Sequence, residues 1–281
     1  MVVAQNSDIE WTDHTFNPWT GCTNISPGCD NCYAEAWSKR SGHVVWGNHP
    51  RKRTTEAYWR APLAWQAAAQ SFRLTHGRRQ RVFCASLADV FDNQVDPTWR
   101  SDLFNLIEKT PDLDWQLLTK RPQNIAKMLP SNWGSKGWPN AWLGFTAEDQ
   151  ARFDQRKRFI SEVPAAVWFI SYEPAIGPLR IDINDPRPDW LIVGGESGPK
   201  ARPLDPSWVL DILQDCHLLN ISPFFKQWGN FENNPLTGMH SYSKNELKEA
   251  DPNGKGGGLV DGKLVRQFPR TVDPKNQANV A

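Results

Sequence analysis

Short apolar runs alternate with helical patterns along most of the chain. The apolar runs show no polar alternation, which is typical of strands that are buried on both faces. They predict strands at residues 15–21, 81–86, 115–119, 142–146, 166–171, 190–194 and 224–227. The segments between them predict helices at residues 31–41, 97–109, 122–129, 149–162 and 206–219. The second of these helices has Asp96 as its expected N-cap and Pro97 in its first turn.

Strands that are separated by helices indicate parallel pairing. About six or seven such units predict an α/β fold, either a complete or partial parallel (β/α) barrel or, as the alternative, an open doubly wound sheet. We expect the barrel to span residues 1–229, with an insertion at about residues 39–81. Residues 230–281 are expected to form a loop-rich C-terminal extension packed on the barrel, because four glycines lie between residues 254 and 258. The last ten residues are expected to be frayed.

Polar or special residues follow the end of most predicted strands. The carboxyl ends of parallel strands form the face on which barrels and doubly wound sheets build active sites. The residues in this position are Ser86, Asp89, Thr119, Lys120, Thr146, Glu148, Ser171, Glu173, Gly194, Gly195, Glu196, Ser197, Lys226 and Gln227. Their recurrence at successive strand ends predicts a single polar site at this edge of the sheet.

Composition narrows the class of protein. The chain has 281 residues, of which 39% are hydrophobic and 22% are charged, as in a globular protein. Its 15 tryptophans suggest aromatic surfaces in a cleft as well as in the core. Residues 1–13 lack the features of a signal peptide, and no apolar run approaches the ~20 residues of a membrane span. We therefore expect a cytoplasmic protein that has no membrane partner.

The net charge of +1 hides an uneven distribution of charge along the chain. Residues 39–81 hold ten basic residues and a single acid, Glu56, together with several aromatic residues. Such a segment suits a polyanion with exposed bases, because cations contact phosphates and aromatic rings stack on bases. The substrate-binding residues predicted in this segment are Trp46, Arg51, Lys52, Arg53 and Trp59. The alternative is a solvated surface whose charge is balanced by acids elsewhere in the fold.

Three of the five cysteines fall within eleven residues in the pattern C-x6-C-x2-C, namely Cys22, Cys29 and Cys32. An odd total without a secretory signal argues against a disulfide framework. Structural zinc and iron–sulfur cubanes usually take four protein ligands, so three cysteines leave one position open for a substrate or cofactor. Zinc, with His14 or Cys84 as the fourth ligand, and unligated thiols stay open as alternatives. Cys84 and Cys216 are expected to be buried as small hydrophobic residues.

Several further motifs accompany the cysteines. They lie at residues 11–22 (WTDHTFNPWTGC), 26–35 (SPGCDNCYAE), 118–122 (LTKRP), 171–174 (SYEP), 193–198 (VGGESG), 225–229 (FKQWG) and 259–262 (LVDG). With these motifs the chain resembles the three-cysteine-motif family, which phages and prophages encode and which is related to radical S-adenosylmethionine (SAM) enzymes. The resemblance covers nearly the whole chain. The cysteine spacing differs from C-x3-C-x2-C, which is the most frequent spacing in the radical SAM superfamily.

The resemblance implies a barrel of the radical SAM type, in which Cys22, Cys29 and Cys32 hold a 4Fe–4S cluster and SAM binds the open iron. An external electron donor would reduce the cluster. Cleavage of SAM would then give methionine and a 5′-deoxyadenosyl radical, while the protein supplies binding, orientation and exclusion of water. The residues expected at the cofactor are Tyr33, Ser86, Asp89, Thr119, Glu148, Ser171, Glu173, Gly194, Gly195 and Glu196. For Glu148 and Glu173, helix capping or an ion pair with Lys120 or Arg121 is the alternative.

Phosphate contacts at the mouth of the barrel are assigned to basic residues. Glu196 would repel phosphate from its glycine-rich turn. No P-loop or dinucleotide fingerprint is present in the sequence, so nucleotide hydrolysis and NAD chemistry lose support. The substrate-binding residues expected at the mouth are Lys120, Arg121, Arg202, Lys226 and Gln227. Ordinary surface charge is the alternative for each cation.

The leading hypothesis is a radical SAM enzyme, of the lyase or oxidoreductase type, that modifies a base or repairs a lesion in nucleic acid. DNA is favoured over RNA, and a base inside a duplex would have to be extruded, with Trp46 and Trp59 stacking in the gap. The rival is a non-catalytic nucleic-acid-binding subunit of a phage or defence complex, stabilised by zinc or by a cluster. A third hypothesis replaces nucleic acid with a small molecule or peptide. The resemblance also implies a methyltransferase-like companion protein.

Overall fold

The computed structural model describes residues 4–5, 7–240 and 242–270. Its strands are Ala4–Gln5 (β1), His14–Thr15 (β2), Trp19–Thr20 (β3), Lys52–Arg53 (β4), Gln80–Cys84 (β5), Leu113–Thr119 (β6), Ala141–Thr146 (β7), Trp168–Tyr172 (β8), Trp190–Gly194 (β9), Ser222–Gln227 (β10), Leu259–Val260 (β11) and Lys263–Leu264 (β12). Each apolar run that predicted a strand after residue 80 overlaps one of the strands β5 to β10. The pattern of residues buried on both faces therefore located the sheet.

The helices connect these strands. They are Tyr33–Ser41 (α1), Glu56–Trp59 (α2), Ala61–Ala67 (α3), Ala69–His76 (α4), Pro97–Glu108 (α5), Ile125–Met128 (α6), Gln150–Arg156 (α7), Phe159–Glu162 (α8), Pro206–Leu219 (α9), Pro235–His240 (α10) and Lys244–Ala250 (α11). The expected cap of α5 is confirmed, because Asp96 Oδ1 accepts a hydrogen bond from Thr98 N at 2.8 Å. The single helix predicted at 149–162 is instead two helices, α7 and α8.

One eight-stranded sheet organises the described residues, in the order β1-β2-β5-β6-β7-β8-β9-β10. The seven strands from β2 to β10 in this order pair in parallel, and β1 pairs antiparallel with β2 at the edge. The seven parallel strands form a curled half-barrel. The predicted α/β fold is thus confirmed, in its partial-barrel form.

The predicted strand at 15–21 divides into two short strands with different partners. β2 belongs to the main sheet, where His14 is in register with Val82 of β5. β3 pairs instead with β4 in a separate antiparallel ribbon, in which Trp19 is in register with Arg53. Pro18 lies between the two strands and cannot donate a ladder hydrogen bond, which explains the break.

Side chains on the two faces of the sheet form separate cores. The outer face packs on the helices, whereas the inner face is filled by a set that we call the aromatic layer: Trp11, Phe83, Trp142, Phe169, Trp190, Ile192 and Phe224. The Trp11 ring lies 4.6 Å from Phe83 of β5 and 6.0 Å from Trp190 of β9. One ring bridges these non-adjacent strands only because the sheet curls. The layer fills the interior and leaves the polar residues at the carboxyl ends of the strands.

The C-terminal residues pack along β10. Phe225 N donates to Val265 O at 2.7 Å, and Trp228 Nε1 donates to Leu259 O at 2.9 Å. The short helices α10 and α11 and the hairpin of β11 and β12 were not predicted individually. The frayed end predicted for residues 272–281 lies outside the described residues. No helix in the described part of the chain is long and apolar enough to cross a membrane.

Candidate functional site

The loop that carries the three cysteines, residues 21–32, lies at the carboxyl edge of the sheet. Gly21 N donates to Leu87 O at 3.1 Å, which ties the start of the loop to the turn after β5. The loop ends at Cys32, which precedes the first residue of α1. Cys29 is buried, Cys22 and Cys32 are half-buried, and all three are free of disulfides. We call this segment the cysteine loop.

Cys22 is contacted by an arginine that comes from the end of β6. Arg121 Nη1 lies 3.5 Å from Cys22 Sγ and 2.9 Å from Asp89 Oδ2, and its Nη2 donates to Thr23 O at 2.9 Å. Asp89 also accepts from Thr119 Oγ1 at 2.7 Å. Burial raises the pKa of the Cys22 thiol to about 11, with a further contribution from Asp89, while Arg121 acts in the opposite direction. Without a metal, Cys22 is therefore a neutral thiol at neutral pH.

Cys29 is supported from the end of β7. Glu148 is fully buried, accepts a hydrogen bond from Ser26 Oγ and pairs with Arg156 Nη1 at 2.8 Å. Ser26 Oγ in turn lies 3.9 Å from Cys29 Sγ. A methyl group at Gly28 would overlap the Glu148 side chain, so glycine allows the close approach of the loop to this strand end.

The segment between Cys29 and Cys32 is held from the end of β9. Glu196 accepts from Asn31 Nδ2 at 2.9 Å and from two guanidinium nitrogens of Arg202, at 2.6 and 2.9 Å. Arg202 Nη2 also donates to Pro27 O at 2.9 Å. Burial opposes the charged form of Glu196, but the hydrogen bonds from Arg202 and Asn31 outweigh burial and lower the pKa of this carboxyl.

Three arginine–carboxylate pairs therefore hold the cysteine loop at three places. We call Asp89–Arg121, Glu148–Arg156 and Glu196–Arg202 the supporting pairs. Sequence reasoning placed Asp89, Glu148 and Glu196 at the cofactor, but in the structure their carboxylates are engaged by protein groups. Glu148 does form an ion pair, but with Arg156 and not with Lys120 or Arg121, the partners that the alternative named. Ser26 and Asn31 were missed because they lie far in sequence from the carboxylates that they contact. Arg156 was missed although it is only eight residues from Glu148, because the prediction considered Lys120 and Arg121 as the partners of that carboxylate.

Other strand-end residues point into the interior above the aromatic layer. Lys226 Nζ pairs with Glu173 Oε1 at 2.6 Å, and both side chains are half-buried. Lys120 Nζ lies 3.4 Å from Thr146 Oγ1, and its positive charge acts to lower the pKa of the Cys32 thiol. Gly194 lies beside the Glu173 side chain. These groups lie on the same side of the sheet as the aromatic layer, and we call the region that they border the polar space.

The remaining predicted cofactor residues make local contacts. Tyr33 Oη donates to Ser86 O at 2.7 Å, while its side chain is largely exposed. Thr119 binds Asp89, as described above, and Ser171 is buried at the end of β8. A methyl group at Gly195 would overlap Trp228 O, so this glycine serves the packing of β10. Gln227, predicted to bind substrate, accepts from Lys255 N at 3.1 Å.

Two residues of the basic segment are corrected by the structure. Arg51 is buried and pairs with Asp92 at 2.6 Å, and its Nη2 donates to Thr23 Oγ1 at 2.7 Å, so it supports the cysteine loop and does not face a phosphate. Trp59 is buried against Phe16 in the outer core, so it is not available for stacking on a base. Arg51 was misplaced because its partner Asp92 lies 41 residues away, and Trp59 because α2 packs it into the core.

The other predicted residues of the basic segment differ in exposure. Arg53 pairs with Asp102 at 2.8 Å and lies over the Trp59 ring. Lys52 is exposed and donates to His43 O at 3.3 Å. Trp46 is half-buried next to the cysteine loop, where its Nε1 lies 3.3 Å from Asn24 Oδ1. Trp46 and Lys52 are the members of this set that remain near the site and reachable.

The donor chemistry of the cysteine loop fits an iron–sulfur cluster. Burial raises the pKa of Cys32, but backbone N–H groups of Glu35 and Ala34 donate to its sulfur, and Arg121 donates to that of Cys22. Such N–H donors stabilise thiolates. In the part of the chain that the structure describes, no three Cys, His, Asp or Glu residues are gathered at metal-binding distance. The sulfurs would therefore have to approach one another when a metal binds. Cys84 and Cys216 are buried, as predicted.

Comparisons with known proteins give a family and two solved structures of low sequence identity. Residues 6–269 match a family described as a protein of unknown function (DUF5131). Spore photoproduct lyase complexed with dinucleoside spore photoproduct is 12% identical, with a TM-score of 0.44 over 75% of this chain and 62% of that chain. A mutant of spore photoproduct lyase with bound AdoMet and dinucleoside spore photoproduct is 13% identical, with a TM-score of 0.41 over 67% of this chain and 57% of that chain. No curated protein matches the sequence.

Proposed function

The chain belongs to the DUF5131 family, and we propose that it is a radical SAM enzyme that acts on nucleic acid. The observation that carries this proposal is the cysteine loop itself. Three free thiols within eleven residues lie at the carboxyl edge of a partial parallel barrel. Parallel α/β proteins form their active sites at this edge.

Cys22, Cys29 and Cys32 are the residues that would hold a 4Fe–4S cluster. Such clusters usually take four cysteines, so a three-cysteine site leaves one iron open for SAM. When bound, the cluster and SAM supply a radical that abstracts a hydrogen atom from the substrate. Arg121 would orient Cys22 through its contact with the sulfur, and Asp89 would keep Arg121 in place.

The polar space above the aromatic layer suits the charged and hydroxyl groups of SAM. Glu173 and Lys226 offer a carboxylate and an ammonium, and Lys120, Thr146 and Ser171 lie on the same interior face. The buried aromatic layer lies on the same side of the sheet and would keep water out from below. Exclusion of water protects a radical from side reactions.

Nucleic acid is the substrate class that best suits the exposed charge near the site. Lys39, Arg40, Lys52 and Arg60 are exposed in or beside the segment that borders the cysteine loop. Within that segment, Gly47 N donates to Cys22 O at 2.9 Å, so Trp46 lies next to the loop. Base modification or repair of a DNA lesion stays our expectation for the reaction. An external electron donor and a methyltransferase-like companion are proposed with it.

The proposal is tested by anaerobic reconstitution with iron and sulfide. We expect a brown protein with visible iron–sulfur absorption that forms 5′-deoxyadenosine when SAM and dithionite are added. Alanine at Cys22, Cys29 or Cys32 should abolish both properties. The matched control is Cys216→Ala, which removes a buried thiol of α9 and should keep both.

The second candidate is a non-catalytic nucleic-acid-binding subunit with a zinc site. The observation that favours it is that the strand-end carboxylates of Asp89, Glu148 and Glu196 are engaged by arginines and are not free to bind a cofactor. A colourless protein with one zinc per chain and no 5′-deoxyadenosine would select this candidate over the enzyme.

A further inference from the structure

A cavity of about 450 Å³ borders the cysteine loop at Ile25. Its lining comes from the cysteine loop, from the turns after β5 and β6, and from α7 with the start of α8: Ile25, Asn93, Lys120, Arg121, Gln123, Gln155, Arg156, Arg158 and Phe159. Four of these residues are cations, three are amides and none is a carboxylate. A cavity of this volume can hold a small ligand or one part of a larger ligand.

The four cations differ in how far their charge is neutralised. Arg121 and Arg156 are buried, and Asp89 and Glu148 pair with them from behind the cavity. Lys120 has no carboxylate within ion-pair distance among residues 7–240 and 242–270. Arg158 is exposed and lies 3.8 Å from Glu162, an ion pair that solvent weakens. Arg158 therefore leaves positive charge at this surface, and Lys120, whose Nζ lies beside Thr146, adds positive charge from the interior side.

The amides add donors without adding negative charge. Asn93, Gln123 and Gln155 are exposed, and within the described residues their side chains make no hydrogen bond. An amide can turn its NH₂ group toward an anion, and a guanidinium presents a fork that matches phosphate oxygens. Ile25 and Phe159 provide apolar surface beside these donors, which suits a sugar next to the anion.

We propose that this cavity binds a backbone phosphate of the nucleic-acid substrate. The identity of the ligand rests on the proposed function, whereas the preference for an anion follows from the lining alone. Ile25 lies between Cys22 and Cys29 in the cysteine loop. A phosphate at the cavity would therefore fix the strand at the edge of the loop and leave a neighbouring nucleotide within reach of the polar space. Arg202, predicted to bind phosphate, is less suited because its guanidinium already pairs with Glu196 and Asp30.

The test measures binding of a fluorescent single-stranded oligonucleotide to the full chain without SAM, over a range of salt concentrations. Arg158→Glu should raise Kd roughly tenfold. It should also reduce the slope of log K against log salt concentration by about one, as expected for one lost phosphate contact. Gln155→Glu should act in the same direction with a smaller effect. The matched control is Arg187→Glu, an exposed arginine before β9 at the opposite edge of the sheet, and it should leave Kd unchanged.

Two results would overturn the proposal. Equal effects of Arg158→Glu and Arg187→Glu would mean that the chain binds nucleic acid only through its overall charge. Binding of inorganic phosphate that Arg158→Glu abolishes, without any binding of the oligonucleotide, would mean that the cavity takes a free anion. Both binding measurements are made without iron or SAM. Failure of the reconstitution experiment and failure of this proposal are therefore separate outcomes.

Discussion

The interior of the half-barrel has two layers along the same strands. The lower one is the aromatic layer, and the upper one consists of the charged and polar groups at the carboxyl ends of the strands. β9 begins at Trp190 in the aromatic layer and ends at Gly194, two residues before Glu196 of a supporting pair. In the lower layer, rings pack on rings, and Trp11 Nε1 and Trp142 Nε1 have no hydrogen-bond partner within the described residues. In the upper layer nearly every charged group has a partner. The comparison indicates that the lower layer maintains the fold, while the upper layer positions the chemistry.

The largest effect is expected in the aromatic layer. Trp190 is fully buried and contacts the rings of Trp11, Trp142, Phe169 and Phe224. Trp190→Ala should lower the free energy of unfolding by about 3–5 kcal/mol, because it leaves a cavity that the curled sheet cannot close. Urea unfolding measures this loss.

The control for this variant is Leu210→Ala on the exposed side of α9, which should change the free energy of unfolding by less than about 0.5 kcal/mol. A similar small loss for Trp190→Ala would mean that the aromatic layer does not carry the stability of the half-barrel.

A smaller loss of stability, with a specific loss at the site, is expected for Asp89→Asn. The amide would place an NH₂ group among Thr119, Arg121 and the backbone N–H of Phe91, all of which donate to the carboxylate. We expect a cost of about 1.5–3 kcal/mol and fewer irons per chain after reconstitution, because Arg121 loses its position beside Cys22. Urea unfolding and iron analysis check the two parts.

Asp211→Asn is the control, since among the described residues Asp211 makes only an exposed pair with Arg180 at 3.6 Å. If Asp89→Asn loses stability but binds as much iron as the control, the supporting pair serves the fold alone.

The smallest effect concerns the pH dependence of stability. The pKa of Glu196 is lowered in the folded state from its ordinary value of 4.5, so its carboxylate contributes stability above that pH. This contribution is lost as the pH falls through the lowered pKa. Glu196→Gln should therefore cost roughly 1 kcal/mol or less near pH 7, and the difference from the parent chain should shrink in acid.

Unfolding of both chains at several pH values measures this difference. A difference that stays constant from neutral to acid pH would show that the charge of Glu196 is not what holds Asn31 and Arg202.

The strands of the half-barrel could be predicted because burial on both faces leaves a local signal. Residues 190–194 are all apolar or glycine, and the structure has the same bounds for β9. Helices α2 to α4 left no such signal, since each spans four to eight residues and has at most two turns of periodicity. The predicted start of a helix at Asp149 agrees with α7, for which Asp149 is the N-cap, but the break between α7 and α8 was not visible in the sequence.

The sequence predicted at which edge of the sheet the candidate site residues lie, but not which residues they contact. Strand-end residues were placed correctly at one edge, because parallel strands align their carboxyl ends. The partners of Asp89, Glu148 and Glu196 could not be predicted, since Ser26 and Glu148 are 122 residues apart and Asn31 and Glu196 are 165 apart. Such pairings depend on how the loop folds over the sheet, which local pattern does not encode. Arg51 was misjudged for the same reason.

The central claim is that the three thiols hold a cluster with an iron open to SAM. Electron paramagnetic resonance of the anaerobically reconstituted and reduced chain tests it most directly. We predict the signal of a reduced 4Fe–4S cluster that changes when SAM is added and that is missing from the Cys22→Ala, Cys29→Ala and Cys32→Ala variants. A chain that binds no iron, or a cluster signal that SAM leaves unchanged, would contradict the claim.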